Sequence, residues 1–585
     1  MNRRAIIQTA GAVLSVAGSA LANAQNTVVI GSGERFGRPD LAAGSFQGQN
    51  FVLGPQTTFD FEDGSIFGGP NDEPFTEFDF GGSRLNLSAG STFAELQGRF
   101  TMGPPSVSNA VVDIRTRLTL DFVTRPTFIG SFSDSTVRVL DGAAVPGFGI
   151  GSGSVLGVLG GQVGAPGQTD RPGPFWAGTA RVSGGDVIAP VTLVNGSVLE
   201  ISGGRVSQVF NHSQDPSLDP NVMGPGARVV IRGTGELGGD PFAGFSYDGL
   251  FRPGTLELQG GRLGAGAAVG GDLTISGGMI GQGLLVSRTG SVEIYGSEFR
   301  INGAAVSRLE ITPNAEGGFD VPLNRNGNVL TGTLSDGTVF LLAADAEDAF
   351  ASSAVHRSDG ILREVALAQP DLSPRTVLDG TVTKGLRAGQ HLTLSGNATT
   401  SKDFAVVDAT FNVFGGVVAT GLETARSTVR IAGGVIGSRF DIHAGTELTI
   451  SGGELDDLSA YRGSSARITG GSIELFQLNE GAEVTIAGGR IDRVWTFGGS
   501  LQLDVLTAAI DGENLDLAFG DLLELDPSGD GLLEVTLADR TEFQLDFGDP
   551  FVGGATIFVR AVPAPGATLL AMCGGTITWR RCRRG

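Results

Sequence analysis

Residues 411–418, 429–436, 448–455, 466–473 and 484–491 read FNVFGGVV, VRIAGGVI, LTISGGEL, ARITGGSI and VTIAGGRI. Each copy is a short alternation of apolar and polar residues, a Gly-Gly pair and a second apolar stretch. The second glycines are Gly416, Gly434, Gly453, Gly471 and Gly489, stepping by 18, 19, 18 and 18 residues. A period of that length is the mark of a solenoid, in which no repeat buries its apolar face alone and stacking supplies the core. Aligning the copies gives one column of Ile431, Ile450, Ile468 and Ile486, and another of Ile436, Leu455, Ile473 and Ile491. Phe440, Leu458, Phe476 and Val494 form a third. The period-two alternation turns these inward and sends Arg430, Thr449, Arg467 and Thr485 outward. Each aliphatic side chain so buried contributes about 1.5–3 kcal/mol. The Gly-Gly pair marks the corner, where a positive φ is free of Cβ clash only in glycine. The expected fold is all-β: a right-handed parallel β-solenoid, or β-helix, of about 18–19 residues per coil.

Looser copies fill the first half: VLGGQV ending at Val163, then ARVSGGDV, LEISGGRV, LELQGGRL and LTISGGMI, with earlier coils near Leu85 and Val139. Insertions at about 164–178, 211–227 and 240–254 follow the strand after a glycine corner and share one phase of the coil. Insertions at one phase emerge on one side, the default binding face. Trp176, Asp215, Asp219, Tyr247 and Asp248 lie there and are the candidate binding residues. A second duplication matches 333–340 (TLSDGTVF) with 536–543 (TLADRTEF). Each copy follows a solenoid run, where an end module is needed to cover open strand edges and core. The organisation expected is 25–290 first solenoid, 291–345 end module, 346–375 linker, 376–498 second solenoid and 499–560 end module. The linker reading rests on Asp345, Glu347 and Asp348 followed by Pro370 and Pro374.

Composition agrees. Among 585 residues, 94 are glycine, while 40% are hydrophobic and 35 are Phe, enough to build a large core rather than a disordered chain. The formal charge of −22 excludes unaided binding to nucleic acid or an anionic membrane. Chemistry is sparse. The pair Asp456-Asp457 is adjacent on a strand, so its members point to opposite faces rather than flanking a glycosidic bond. His212, His356, His391 and His443 lack paired zinc spacing, and His443 reads as exposed in a coil turn. Residues 526–531 (DPSGDG) open like a calcium loop, but its twelfth position is Leu537 rather than Glu. No catalytic residue is assigned, the metal question stays open and no cofactor is required; calcium is the one ion this acidic chain leaves in view. Three Trp and three Tyr are too few for a stacked sugar platform.

The chain ends carry addresses. Arg3 and Arg4, an apolar run and Ala22-Asn23-Ala24 form a secretory signal over 1–24, with cleavage after Ala24. At 561–585, Val562-Pro563-Ala564-Pro565-Gly566-Ala567 precedes an apolar run and Arg580, Arg581, Arg583 and Arg584. The apolar part is shorter than the ~20 residues of a comfortable membrane helix, and the arginines would hold it on the cytoplasmic side. Losing both ends would leave 34 basic against 62 acidic residues, a charge of −28, and would remove Cys573 and Cys582, the only cysteines.

This tail resembles the PEP-CTERM class of sorting signals, in a VPAPGA form whose motif residues are Pro563, Ala564, Pro565 and Gly566. The resemblance implies transient membrane anchoring and an exosortase-like partner enzyme that removes the tail. It also implies association with envelopes and exopolysaccharide. The expectation is a secreted, non-enzymatic structural protein of the cell surface or extracellular matrix, with extracellular polysaccharide as its partner. The alternatives are an adhesin for a partner surface and a β-helix polysaccharide lyase or glycosidase.

Overall fold

A computed structural model describes residues 26–563 with interruptions, the longer ones being 68–76, 94–105, 121–130, 165–174, 212–226, 239–253, 307–318, 322–327 and 345–359. The described residues form two parallel β-solenoids, each with its own hydrophobic core.

The second solenoid has the expected register. Ile431 pairs with Ile450, Ile450 with Ile468 and Ile468 with Ile486, and all four side chains are buried. The Ile436–Leu455–Ile473–Ile491 and Phe440–Leu458–Phe476–Val494 columns are likewise continuous. Arg430, Thr449 and Arg467 are exposed on the other face. The Gly-Gly pairs do not interrupt the strands. They bend ribbons such as Thr428–Ile436 and Glu447–Ala460, where the register shifts as in a β-bulge. At Gly434 φ is +86°, and a Cβ there would stand 2.8 Å from the carbonyl oxygen of Gly416, its counterpart one coil back. The column demands glycine twice over: for its backbone angle and for the closeness of the stack.

The first solenoid runs from Asn26–Ile30 to Val292–Ile301 along its main ribbon. A second face stacks seven short strands from Glu77–Asp79 to Val209–Asn211, and a third, of four strands, covers the N-terminal coils. Phe36, Phe46, Phe51 and Phe59 pack together at that end, with ring centroids 5.0–6.1 Å apart. Outward residues form cross-coil ion pairs, such as Arg138 with Asp113 and Arg228 with Glu257.

Each solenoid ends in the same cap. Val292–Ile301 begins as a coil parallel to Asp272–Ile280, then pairs antiparallel with Asn328–Leu334 and parallel with Gly360–Glu364. Ser500–Ile510 does the same with Glu483–Thr496, Leu532–Leu537 and Thr556–Ala561. The TLSDGTVF and TLADRTEF segments are the hairpin turns of these caps. In the first, the Asp336 carboxylate accepts hydrogen bonds from the amides of Gly278 and Thr338, each 2.8 Å. In the second, Asp539 accepts from Gly489 and Thr541 at 2.8 and 2.9 Å. The aspartate therefore takes the amide of the last Gly-Gly bend. The span 346–375 is accordingly not all linker. Gly360–Glu364 is a cap strand, with Leu362 in the core and Arg363 bonded to Glu293.

The two units pack against each other. Val329, Val339, Leu341 and Ala343 of the first cap form a separate apolar cluster with Ala405, Val407 and Ala425, outward positions of the second solenoid. Charged groups frame it: Arg387 with Glu298, Arg426 with Thr331, and Arg262 with Asp403.

Candidate functional site

Beside that apolar cluster, the inter-unit surface holds a cluster of buried polar groups. Two outward columns of the second solenoid supply it. Ala405, Glu423 and Asp441 occupy one register position in successive coils, two residues before Val407, Ala425 and His443. Where the first unit lies against this face, outward no longer means exposed: Glu423, Asp441 and His443 are buried. One ligand atom from each lies within 4.8 Å of the others. Gln282, from the coil turn after Asp272–Ile280 of the first solenoid, completes the group. Its Nε2 donates to Asp441 Oδ2 at 2.8 Å and to the Arg439 carbonyl at 3.2 Å.

The electrostatics are unusual for a protein interior. Burial, then the neighbouring Asp441 and Asp403, push the Glu423 carboxyl well above the usual range. Burial lowers His443 to about 4, so its imidazole is neutral at ordinary pH. The ring stacks on Tyr461 with centroids 4.9 Å apart. His443 Nε2 is buried without a hydrogen-bond partner, and so is Gln282 Oε1. Burial works against the charge of Arg262, but Asp403 and then Glu236 outweigh it and raise its pKa. A neutral imidazole and two carboxylates, with an amide hydrogen-bonded to one of them, are a donor set suited to a divalent cation.

Several sequence expectations meet the structure here. His443, expected to be exposed, is 2% exposed, because its coil turn lies under the inter-unit contact. Trp176, expected on a binding loop, is a core residue. It belongs to the strand Phe175–Trp176, its register partners Ile150 and Leu193 are inward-facing, and its Nε1 donates to the Phe148 carbonyl at 3.1 Å. Asp215, Asp219, Tyr247 and Asp248 lie outside the described residues, as do Ala564, Pro565, Gly566 and residues 526–529. Asp456 is exposed, while Asp457 is partly buried and accepts a hydrogen bond from the Arg439 amide. Glu423 and Gln282 were not singled out by sequence. The available signal was the 18-residue step from Glu423 to Asp441 beside Ala405, Val407 and Ala425, which are small apolar residues at outward positions.

No protein-family model matches the chain. No curated protein and no solved structure shows significant similarity to it.

Proposed function

We propose that this chain is an exported structural protein of the cell surface or extracellular matrix, in which two capped solenoids form a rigid acidic scaffold. The observation that carries the reading is the repeated cap. Both solenoids end in a module that consumes the last coil's edge, so the architecture suits a finished, self-contained strut. The ion pairs running from coil to coil along the outer face fit a surface presented to solvent. The secretory signal over 1–24 and the PEP-CTERM-like tail supply the route: export, transient anchoring and processing by an exosortase-like enzyme. Extracellular polysaccharide is the proposed partner, held along the polar outer faces and the inserted loops.

Fractionating the producing cells tests this. Extracellular or surface-bound protein beginning at Gln25 and lacking the arginine cluster supports it. Protein retained in the cytoplasm with both ends intact contradicts it.

An adhesin is the second reading, and one observation favours it. Phe414, Val417 and Val435 form an exposed apolar patch on adjacent coils, with Val417 and Val435 register partners. Phe414→Ser with Val417→Thr would weaken attachment to a partner surface if that patch is the contact.

A further inference from the structure

We propose that Glu423, Asp441 and His443 bind one divalent transition-metal ion, and that Gln282 of the first unit joins them, so that the ion clamps the two solenoids together.

Three independent features point to a ligand. The first is the geometry: a nitrogen and two carboxylate oxygens within 4.8 Å of one another, on adjacent coils whose spacing is fixed by the ladder. The second is the orphaned atoms. His443 Nε2 and Gln282 Oε1 are both sealed from solvent with nothing to bond, although buried polar groups are paired in the great majority of cases. The third is the charge. Asp403, Glu423, Asp441, Glu236 and Asp457 stand around Arg262 and Arg439, so acid outnumbers base in a region largely closed to water. A dication offsets that imbalance and gives the imidazole its partner.

The mixed nitrogen and oxygen donors select a transition ion such as Zn²⁺ over Ca²⁺, which takes six to eight oxygens. Gln282 Nε2 holds Asp441 in place by hydrogen bonding, the usual outer support of a ligating carboxylate. Its side chain also hydrogen-bonds Glu423, so the first unit is tied to two of the three ligands. Because Gln282 and the three ligands come from different solenoids, binding and docking of the units are coupled. All three ligands are buried, which suits a structural ion.

The test uses the purified full chain, stripped with chelator and titrated with Zn²⁺ by calorimetry, with Co²⁺ absorption reporting the ligand set. The expected result is one tight site per chain, a rise in melting temperature and a Co²⁺ spectrum of mixed nitrogen and oxygen ligation. Glu423→Gln and His443→Ala should each weaken that site by at least about 100-fold, and Gln282→Ala by about 10-fold. Glu423→Gln also guards against simple misfolding. Gln fills the same space and keeps an uncharged polar head, so the metal-free variant should melt no lower than the metal-free parent while losing the Zn²⁺-induced rise. Absence of a tight site overturns the proposal. So does full retention of affinity in Glu423→Gln and His443→Ala, or displacement of Zn²⁺ by millimolar Ca²⁺.

Discussion

At the residue scale, a glycine in the turn after Ser500–Ile510 and a glycine of the stacked column make different demands. Gly512 has φ +79° with open space around it, whereas Gly434 has φ +86° and the Gly416 carbonyl against the place of a Cβ. Gly512→Ala should therefore cost about 1–2 kcal/mol for the left-handed backbone alone. Gly434→Ala should cost more, because two coils must also move apart. Denaturant midpoints of the two variants would measure the difference. Glu293 governs an acid response at the same scale. The Arg363 guanidinium, and less strongly the Tyr295 hydroxyl, hold its carboxylate below the usual range. Its folded pKa is thus below its unfolded one. The stabilisation is present above pH ~4.5 and is lost as the pH falls through the folded value. Glu293→Gln should flatten that part of the stability–pH curve, by a modest amount since the pair is partly solvated.

At the scale of elements, the caps are where a repeat is made to stop. Asp336 and Asp539 each accept the amide of the last bend, so Asp336→Ala or Asp539→Ala leaves Gly278 or Gly489 N–H without its acceptor. A loss of about 1–3 kcal/mol is expected for each, with Asn, which keeps an acceptor oxygen, costing less. Thermal unfolding of the four variants would check the order. The sequence was most legible at this scale. A period of 18 or 19 residues is local information, and alternation around each Gly-Gly pair places Ile450 or Phe476 inward without knowledge of anything distant. The duplicated TLxDxT segments likewise announced end modules. What sequence reading did not reach was Gly360–Glu364, whose only two apolar side chains, Ile361 and Leu362, are adjacent and too few to stand out between acidic and proline-bearing flanks. Trp176 was misplaced for a related reason. Its two-residue strand is set by pairing across coils, and the surrounding loop composition masked that.

At the scale of the whole molecule, the decisive feature is the contact between units, which repeat periodicity cannot reveal. Polar residues at outward positions read as surface until something covers them, and His443 and Glu423 are the cost of that rule. The two caps differ on the face the first one uses for that contact. Val339, Leu341 and Ala343 of the first cap dock on the second solenoid, whereas the corresponding residues of the second cap are Glu542, Gln544 and Asp546. Those three are exposed, and burying them against another apolar surface would strand their polar groups. Leu341→Asp should detach the units, seen as two calorimetric transitions in place of one and a larger radius of gyration by scattering. Each solenoid of this acidic chain ends in a cap, the feature on which the proposed matrix role rests.

The most direct test of that role puts the purified chain on a panel of acidic and neutral polysaccharides, following retention and new chain ends in the same samples. The structural account predicts retention with no new chain ends. The appearance of new chain ends, abolished when a loop carboxylate such as Asp215 is replaced, would contradict it and make this solenoid an enzyme.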